Sequence, residues 1–339
     1  MLNYAVIDFE ILRKNALNIK RKLNKGVLFN AVVKADGYGH GAVKVANALY
    51  KICDCFSVAM VEEGVALRQG GIDKDILVLI PPFKSDLQTA IKYNLTLTVD
   101  SVFDVIRIEE ECLRQNRTAN VHIKFNTGMN RLGVDRIKDL KEILDKISGC
   151  ERVKLKGMYS HFATPQNKKS FLLAQKKFLL ANNLVKGYNN NAICHISASG
   201  GFLMGAQADM VRIGILLYGY KPFESDFVDV KPIMKIYSPV VKYRIIEEGE
   251  SALYGNKPLK ESWPIVLVRY GYADGLFRKK DHSLINNRCM DLSGYKEISV
   301  ENDMACVMDD AELIAKANRT ISYEVLTKCA LRSEKIYLN

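Results

Sequence analysis

Eight apolar, strand-like runs recur between residues 27 and 213, and helix-patterned segments separate them. The runs are 27–33, 56–60, 76–80, 95–99, 121–125, 155–160, 192–196 and 210–213. Segments 42–51, 62–69, 85–93, 100–116, 134–148 and 167–184 carry helical spacing, with Ser85 expected to cap the third. The last connection, 199–209, is short and glycine-rich. Strands alternating with helices pair in parallel, because each crossover returns the chain to the same edge. Eight such units predict an α/β fold built on a closed (β/α)8 TIM-type barrel over residues 8–225.

The pattern changes after Tyr220. Helical periodicity becomes scarce, and short β-branched or aromatic runs take over at 236–246, 252–254, 265–270, 297–300 and 304–308. These predict a C-terminal, mostly-β domain over 226–339, with helices near 309–317 and 323–329. The strand-like N-terminus, 1–7, is expected to join that domain.

In a barrel of this kind the chemistry sits where strands end, so the residues after each run matter most. The first run ends in Lys34, followed by three glycines within Gly37–Gly41 that flank Tyr38 and His40. A lysine at the end of a buried strand either snorkels to solvent or has its amine put to use. Desolvation lowers its pKa and makes it a nucleophile for carbonyl carbon. The fifth run carries Lys124 and leads into Asn126 and Arg131. His161 follows the sixth, Ser197-Ala198-Ser199-Gly200-Gly201 the seventh, and Arg212 with Gly214 closes the eighth. Backbone N–H groups after the last two runs are placed to hold a phosphate. A Schiff-base lysine with a phosphate cradle points to pyridoxal 5'-phosphate. An aldolase-type barrel offers the same pair of features, although its lysine usually lies on a later strand.

The formal charge is +11, but the basic residues are scattered and no basic stripe is interleaved with aromatics. That argues against a nucleic-acid partner and for small anionic ligands. The eight cysteines form no CxxC pair, so reduced thiols in a cytoplasmic setting are expected, with no metal. No signal-peptide pattern opens the chain, and no apolar run reaches the ~20 residues of a membrane helix, so no membrane partner is expected.

Seven motifs together give the chain a family resemblance. They are AVVKADGYGHG at 31–41, VHIKFNTGMNRLGV at 121–134, DMVRIGILLYG at 209–219, LYGN at 253–256, GYADG at 271–275, RCMD at 288–291 and TISYEVLT at 320–327. In this order they resemble alanine racemase, a fold-type III pyridoxal-phosphate enzyme, over essentially the whole length. The resemblance implies a cytoplasmic homodimer with shared active sites that interconverts L- and D-alanine for peptidoglycan. It implies that Lys34 holds the cofactor and acts as base on one face of the substrate. Tyr254 of the second subunit would be the acid/base on the other face, helped by His161. Arg212 would face the pyridine nitrogen. Tyr38, Ser199, Gly214, Ile215 and Tyr323 would contact the phosphate, with Tyr323 also narrowing the inner gate. Arg131 would pair with the substrate carboxylate, positioned by Lys124, a lysine that many family members carbamylate. Met290 and Asp291 would complete the site from the partner, and Tyr272 and Arg278 would line the entrance.

Several positions depart from the family pattern. Asn126 stands where Asp is usual, Ala198 where Asn is usual and Ile213 where Pro is usual. Arg269-Tyr270 replaces a usual Pro-Ile pair, and 279–287 is short. A serine or broad-specificity racemase is the alternative these changes leave open. A decarboxylase of the same barrel class and a cofactor-binding protein without activity fit less well.

Overall fold

A computed structural model of the chain describes residues 2–251, 258–277, 289–295 and 297–339. The chain divides into two compact units. A strand–helix unit comprises Arg13–Gly37 and Ala42–Val230. A β-rich unit comprises the residues up to Leu12, then Tyr38–Gly41 and Lys231–Asn339.

The first strand in the chain, β1 (Tyr4–Asp8), belongs to the β-rich unit. The next eight belong to the strand–helix unit: β2 (Leu28–Val32), β3 (Cys55–Val58), β4 (Ile76–Val78), β5 (Leu97–Val99), β6 (Ala119–Lys124), β7 (Val153–Tyr159), β8 (Ile193–His195) and β9 (Met210–Ile213). All eight expected runs therefore form strands. They build two parallel sheets, ordered β4-β3-β2-β9 and β5-β6-β7-β8. Isolated parallel bridges, Leu77 with Thr96 and Ala198 with Arg212, link the edges of one sheet to the edges of the other.

The strands read as nearly continuous apolar runs because successive residues, which point to opposite faces, are buried alike. Helix Ile137–Ser148 shows the matching stripe: Leu140, Ile143, Leu144 and Ile147 are buried and the remaining face is charged. Each such side chain contributes roughly 1.5–3 kcal/mol on burial. Helix Val102–Gln115 begins at Ser101, whose hydroxyl accepts from Asp104 N at 3.1 Å. The expected Ser85 cap does not form. Residues Lys84–Asp86 make a 3-10 turn in which Asp86 accepts from Phe83 N at 3.1 Å and from the Ser85 hydroxyl at 2.8 Å, and the helix starts at Leu87.

In the β-rich unit the later strands are β10 (Met234–Ile246), β11 (Trp263–Val268), β12 (Ser293–Tyr295), β13 (Val300–Glu301), β14 (Met304–Met308) and β15 (Glu334–Leu338). The sheet runs β12-β11-β10-β1-β15, with β14 on β10 and β13 on β14. β1 lies between β10, antiparallel, and β15, parallel. β15 is absent from the sequence reading because its residues are half-exposed and include Glu334 and Lys335, as befits an edge strand. Tyr270, at one of the departures from the family pattern, is fully buried and donates to Cys329 O. Among the described residues no helix is long and apolar enough to cross a membrane.

Candidate active site

The functional side chains of the strand–helix unit gather where its strands end. After β2 the backbone enters an unusual turn. Ala35, Asp36, Gly37 and Tyr38 all have φ between 51° and 62°, the left-handed region. Each non-glycine residue there costs about 1–2 kcal/mol. Local bonds hold the turn in place. Glu63 accepts from Ala35 N at 2.6 Å while also accepting from Ala59 N and Met60 N at the start of its own helix. Gly37 N donates to Val33 O at 2.8 Å, and Asp36 accepts from Ala42 N, also at 2.8 Å. Lys34 stands at the head of this turn, half-buried, with no hydrogen bond from Nζ among the described residues. Burial and the positive charges of Arg131 and Arg212 lower its pKa, against the opposing pull of Glu63.

Lys124 ends β6 and is 7% exposed. Its Nζ lies 4.1 Å from the centre of the Tyr159 ring. Burial, then Arg212 and Arg131, push its pKa down to about 6, so it is largely neutral at neutral pH. Arg212 on β9 is also buried. Its Nη2 donates to Ser160 O at 2.6 Å and lies 3.5 Å from His161 Nδ1, and its Nη1 bonds His195 Nδ1. Among the described residues it makes no salt bridge, and its Nε has no protein partner. Burial lowers its pKa to about 10, which leaves it charged at neutral pH. Burial and the charges of Arg212, Lys124, Arg131 and Lys34 hold half-buried His161 well below the usual histidine range.

Gly214 N donates to Ser199 Oγ at 3.3 Å, which joins the turns after β8 and β9. Ile215 is buried beside them. A cavity bounded by Lys124, Asn126, Arg131, Ser160 and His161 opens at the same end of the unit. Asn126 shapes its loop. The amide oxygen accepts from Gly128 N at 2.9 Å and Asn130 N at 3.1 Å, and the amide nitrogen donates to Asp135 at 2.6 Å. An aspartate at position 126 would set a second carboxylate against Asp135, so asparagine suits this loop. Arg131 itself is exposed, without a protein partner among the described residues.

The remaining candidates lie in the β-rich unit. Tyr38 is buried, its ring 5.9 Å from that of Tyr323, and burial raises the Tyr323 pKa to about 12. Gly39, at φ 83°, brings backbone so close that a Cβ would stand 2.4 Å from Leu326 O. Tyr272 and Met290 are exposed. The turn Gly271–Asp274 is tied to the RCMD segment by bonds from Tyr272 N to Cys289 O at 3.1 Å and Ala273 N to Met290 O at 2.9 Å. Asp291 accepts from Arg332 at 3.1 Å. Tyr254 and Arg278 lie outside the described residues.

Four residues near these candidates were absent from the sequence reading: Glu63, His122, Tyr159 and His195. Two carried a signal that could have found them. His122 and His195 interrupt apolar strand runs with a polar ring, and both prove buried.

A family model described as the N-terminal domain of alanine racemase matches residues 7–222. An alanine racemase of Clostridium tetani (strain Massachusetts / E88) is 31% identical over 369 residues, covering 99% of this chain and 95% of the relative. The solved alanine racemase of Clostridium difficile 630 is 31% identical with a TM-score of 0.91, covering 100% of this chain and 96% of that one. The same enzyme in complex with cycloserine gives a TM-score of 0.88.

Proposed function

The chain belongs to the alanine racemase family, and on that premise we propose that it interconverts L- and D-alanine with pyridoxal 5'-phosphate by a two-base mechanism. The observation that carries this reading is the charge at the strand ends. Arg131 and Arg212 both lower the pKa of Lys34 and of Lys124, opposed among the described residues by Glu63 at Lys34 and by Asp100 at Lys124. Such a cluster fits a ligand that brings its own negative charge, as a phosphate ester and an amino-acid carboxylate do. The unpartnered Nε of Arg212 fits a ring nitrogen, and the Ser199–Gly214 contact fits a phosphate.

When bound, the cofactor supplies the electron sink that makes the substrate Cα–H acidic. Lys34 holds it through an amine whose lowered pKa leaves more of the free base. Ser199, Gly214 and Ile215 would hold its phosphate, with Tyr38 and Tyr323 the further candidates for that role. Arg212 keeps its proton, so toward the pyridine nitrogen it would act as a donor. Arg131 binds the substrate carboxylate, positioned by Lys124, whose neutral amine is suited to carbamylation. Lys34 Nζ takes the Cα proton on one face, and Tyr254 Oη of a second subunit returns one on the other; the reverse reaction exchanges the roles. Neutral His161, with Nδ1 turned to Arg212, carries its proton on Nε2 for Tyr254. Met290 and Asp291 complete the site from the partner, and Tyr272 and Arg278 line the entrance.

The same premise supports reading the eight parallel strands as a closed barrel over 8–225, since bridges occur at both seams, with 226–339 as the second domain. The enzyme is then a cytoplasmic homodimer supplying D-alanine for peptidoglycan, and it binds cycloserine. The test is racemisation of L-alanine and L-serine side by side, followed by chiral chromatography. Alanine turnover with little serine is the expected result. Equal or faster serine turnover would reassign it as a serine-type racemase, and no turnover of either would end the reading.

A further inference from the structure

We infer that His122 is a positioning residue for Arg212, acting through His195, the two rings forming a pair of neutral imidazoles locked in one tautomeric order. The inference rests on the role given to Arg212 above.

The order follows from the chemistry of arginine. A guanidinium has donors and no acceptor. Arg212 Nη1 bonds His195 Nδ1, so that nitrogen holds a lone pair and the proton of the neutral ring sits on Nε2. His195 Nε2 lies 3.0 Å from His122 Nδ1. His122 Nδ1 must therefore accept, which leaves its own proton on Nε2. One donor direction runs from Arg212 through His195 to His122. The other tautomer at either ring, or a second proton on either, would set like against like in a buried place. His195 is 0% exposed and His122 4%. Burial first, then Arg212, lowers both pKa values, that of His122 to about 3.

The backbone makes room for the pair. His122 is on β6 and His195 on β8, so the contact must cross β7. The β7 residue opposite His122 is Gly157. A Cβ there would stand 2.1 Å from Ile193 O on β8, 2.6 Å from His122 Cε1 and 2.8 Å from Nδ1. Any other residue would displace the β8 backbone as well as push the imidazole off this path. Two residues on, Tyr159 lies opposite His195 and stacks on its ring, centroids 5.3 Å apart and planes 10° apart. The Tyr159 hydroxyl is fixed by Leu79 O at 2.7 Å and Thr98 Oγ1 at 2.9 Å. The plane of His195 is thereby set by Tyr159 and its tautomer by Arg212, while His122 supplies the acceptor that its Nε2–H then needs. Together Tyr159 and His122 keep the Nη1 side of Arg212 engaged, so that Nε remains free for the ligand. Without an acceptor at position 122, the Nε2–H of His195 would be buried and unpaired. A ring flip relieves this, but it turns the wrong edge to Arg212.

The test is nitrogen NMR of histidine-labelled full chain, with and without pyridoxal phosphate, beside kinetics of three variants. In the wild type both rings should be neutral and carry the proton on Nε2 from pH 6 to 9. His122→Leu and Gly157→Ala should disturb the His195 tautomer and the absorption band of the bound cofactor. They should lower kcat about 10- to 100-fold, as loss of outer-shell partners does elsewhere, with KM for alanine changed less than threefold. His122→Asn, whose amide oxygen stands in for Nδ1, should recover most of the loss. Should His122→Leu not fold, His122→Gln, whose amide oxygen matches Nε2 instead, takes its place. A charged His195, a proton on its Nδ1, or unchanged kcat and spectrum in His122→Leu would overturn the inference. A wild-type chain that shows the tautomeric order but racemises nothing would leave this pair standing and remove only the catalytic reading.

Discussion

The two ends of the strands in the strand–helix unit treat charge in opposite ways. Toward the amino-terminal ends, a small cavity is lined by Asn30, Cys55, Asp75, Thr96, His122 and Lys156, among others. Its one lysine is paired, with Lys156 Nζ 3.5 Å from Asp75. At the carboxyl-terminal ends, Lys34, Lys124 and Arg212 make no salt bridge among the described residues, and the nearest acids only moderate Lys34 and Lys124. Uncompensated buried charge is costly, and the protein manages it in two ways. Lys124 gives up its proton, and Arg212 surrounds itself with carbonyls and neutral rings. One end is thus complete by itself, and the other is prepared for an anion.

The largest break in this contrast should come from Lys34→Ala. It removes the nucleophile and one of the two proposed bases, and racemisation should fall at least about 10³-fold. Loss of borohydride-trappable cofactor would be measured with it. Retained activity above that bound would place the base elsewhere.

Lys124→Met comes next, because it separates neutralised from charged. In the unfolded chain this amine keeps its proton up to about 10.5, but in the folded chain only up to about 6. Between those values the unfolded chain binds more protons, so stability rises with pH, by at most about 1.4 kcal/mol per pH unit. The methionine variant should flatten that slope in urea titrations from pH 6 to 9 and cut racemisation about 10-fold or more. An unchanged slope would mean that Lys124 is charged in the fold.

A smaller effect is expected from Ser199→Ala. It removes the hydroxyl that joins the turns after β8 and β9, and retention of pyridoxal phosphate should weaken about tenfold. Equilibrium dialysis would read it, and unaltered retention would take Ser199 out of the phosphate site. Least of all, Asp75→Asn at the paired end should change stability by less than about 1 kcal/mol, since the pair is exposed. It should leave kcat unchanged. A loss of activity there would show that the two ends are not independent.

Local rules made much of this legible beforehand. Apolar runs and helical spacing located all eight strands, because burial on both faces leaves an unbroken apolar run that needs no partner to be read. The Ser85 cap failed because Asp86 closes a 3-10 turn back onto Phe83 N, which moves the helix start past Ser85, and β15 escaped notice because an edge strand carries few apolar residues. Among site residues, Lys34 and Arg212 could be picked out from their position at strand ends. Tyr254 and Arg278 rest on the resemblance alone.

The sequence by itself determined the order and kind of the elements, the lysine after the first strand of the strand–helix unit, and the family. Only the tertiary structure decided which charges go unpaired and which rings meet. His122, Gly157 and His195 read separately as two core histidines and a weak point in a strand. Residues 73 apart in the chain become one hydrogen-bonded pair only when parallel pairing sets Gly157 opposite His122. The direction of that hydrogen bond is fixed by Arg212, from a third strand. Propensity and periodicity report on neighbours in sequence; register, burial and proton order depend on neighbours in space.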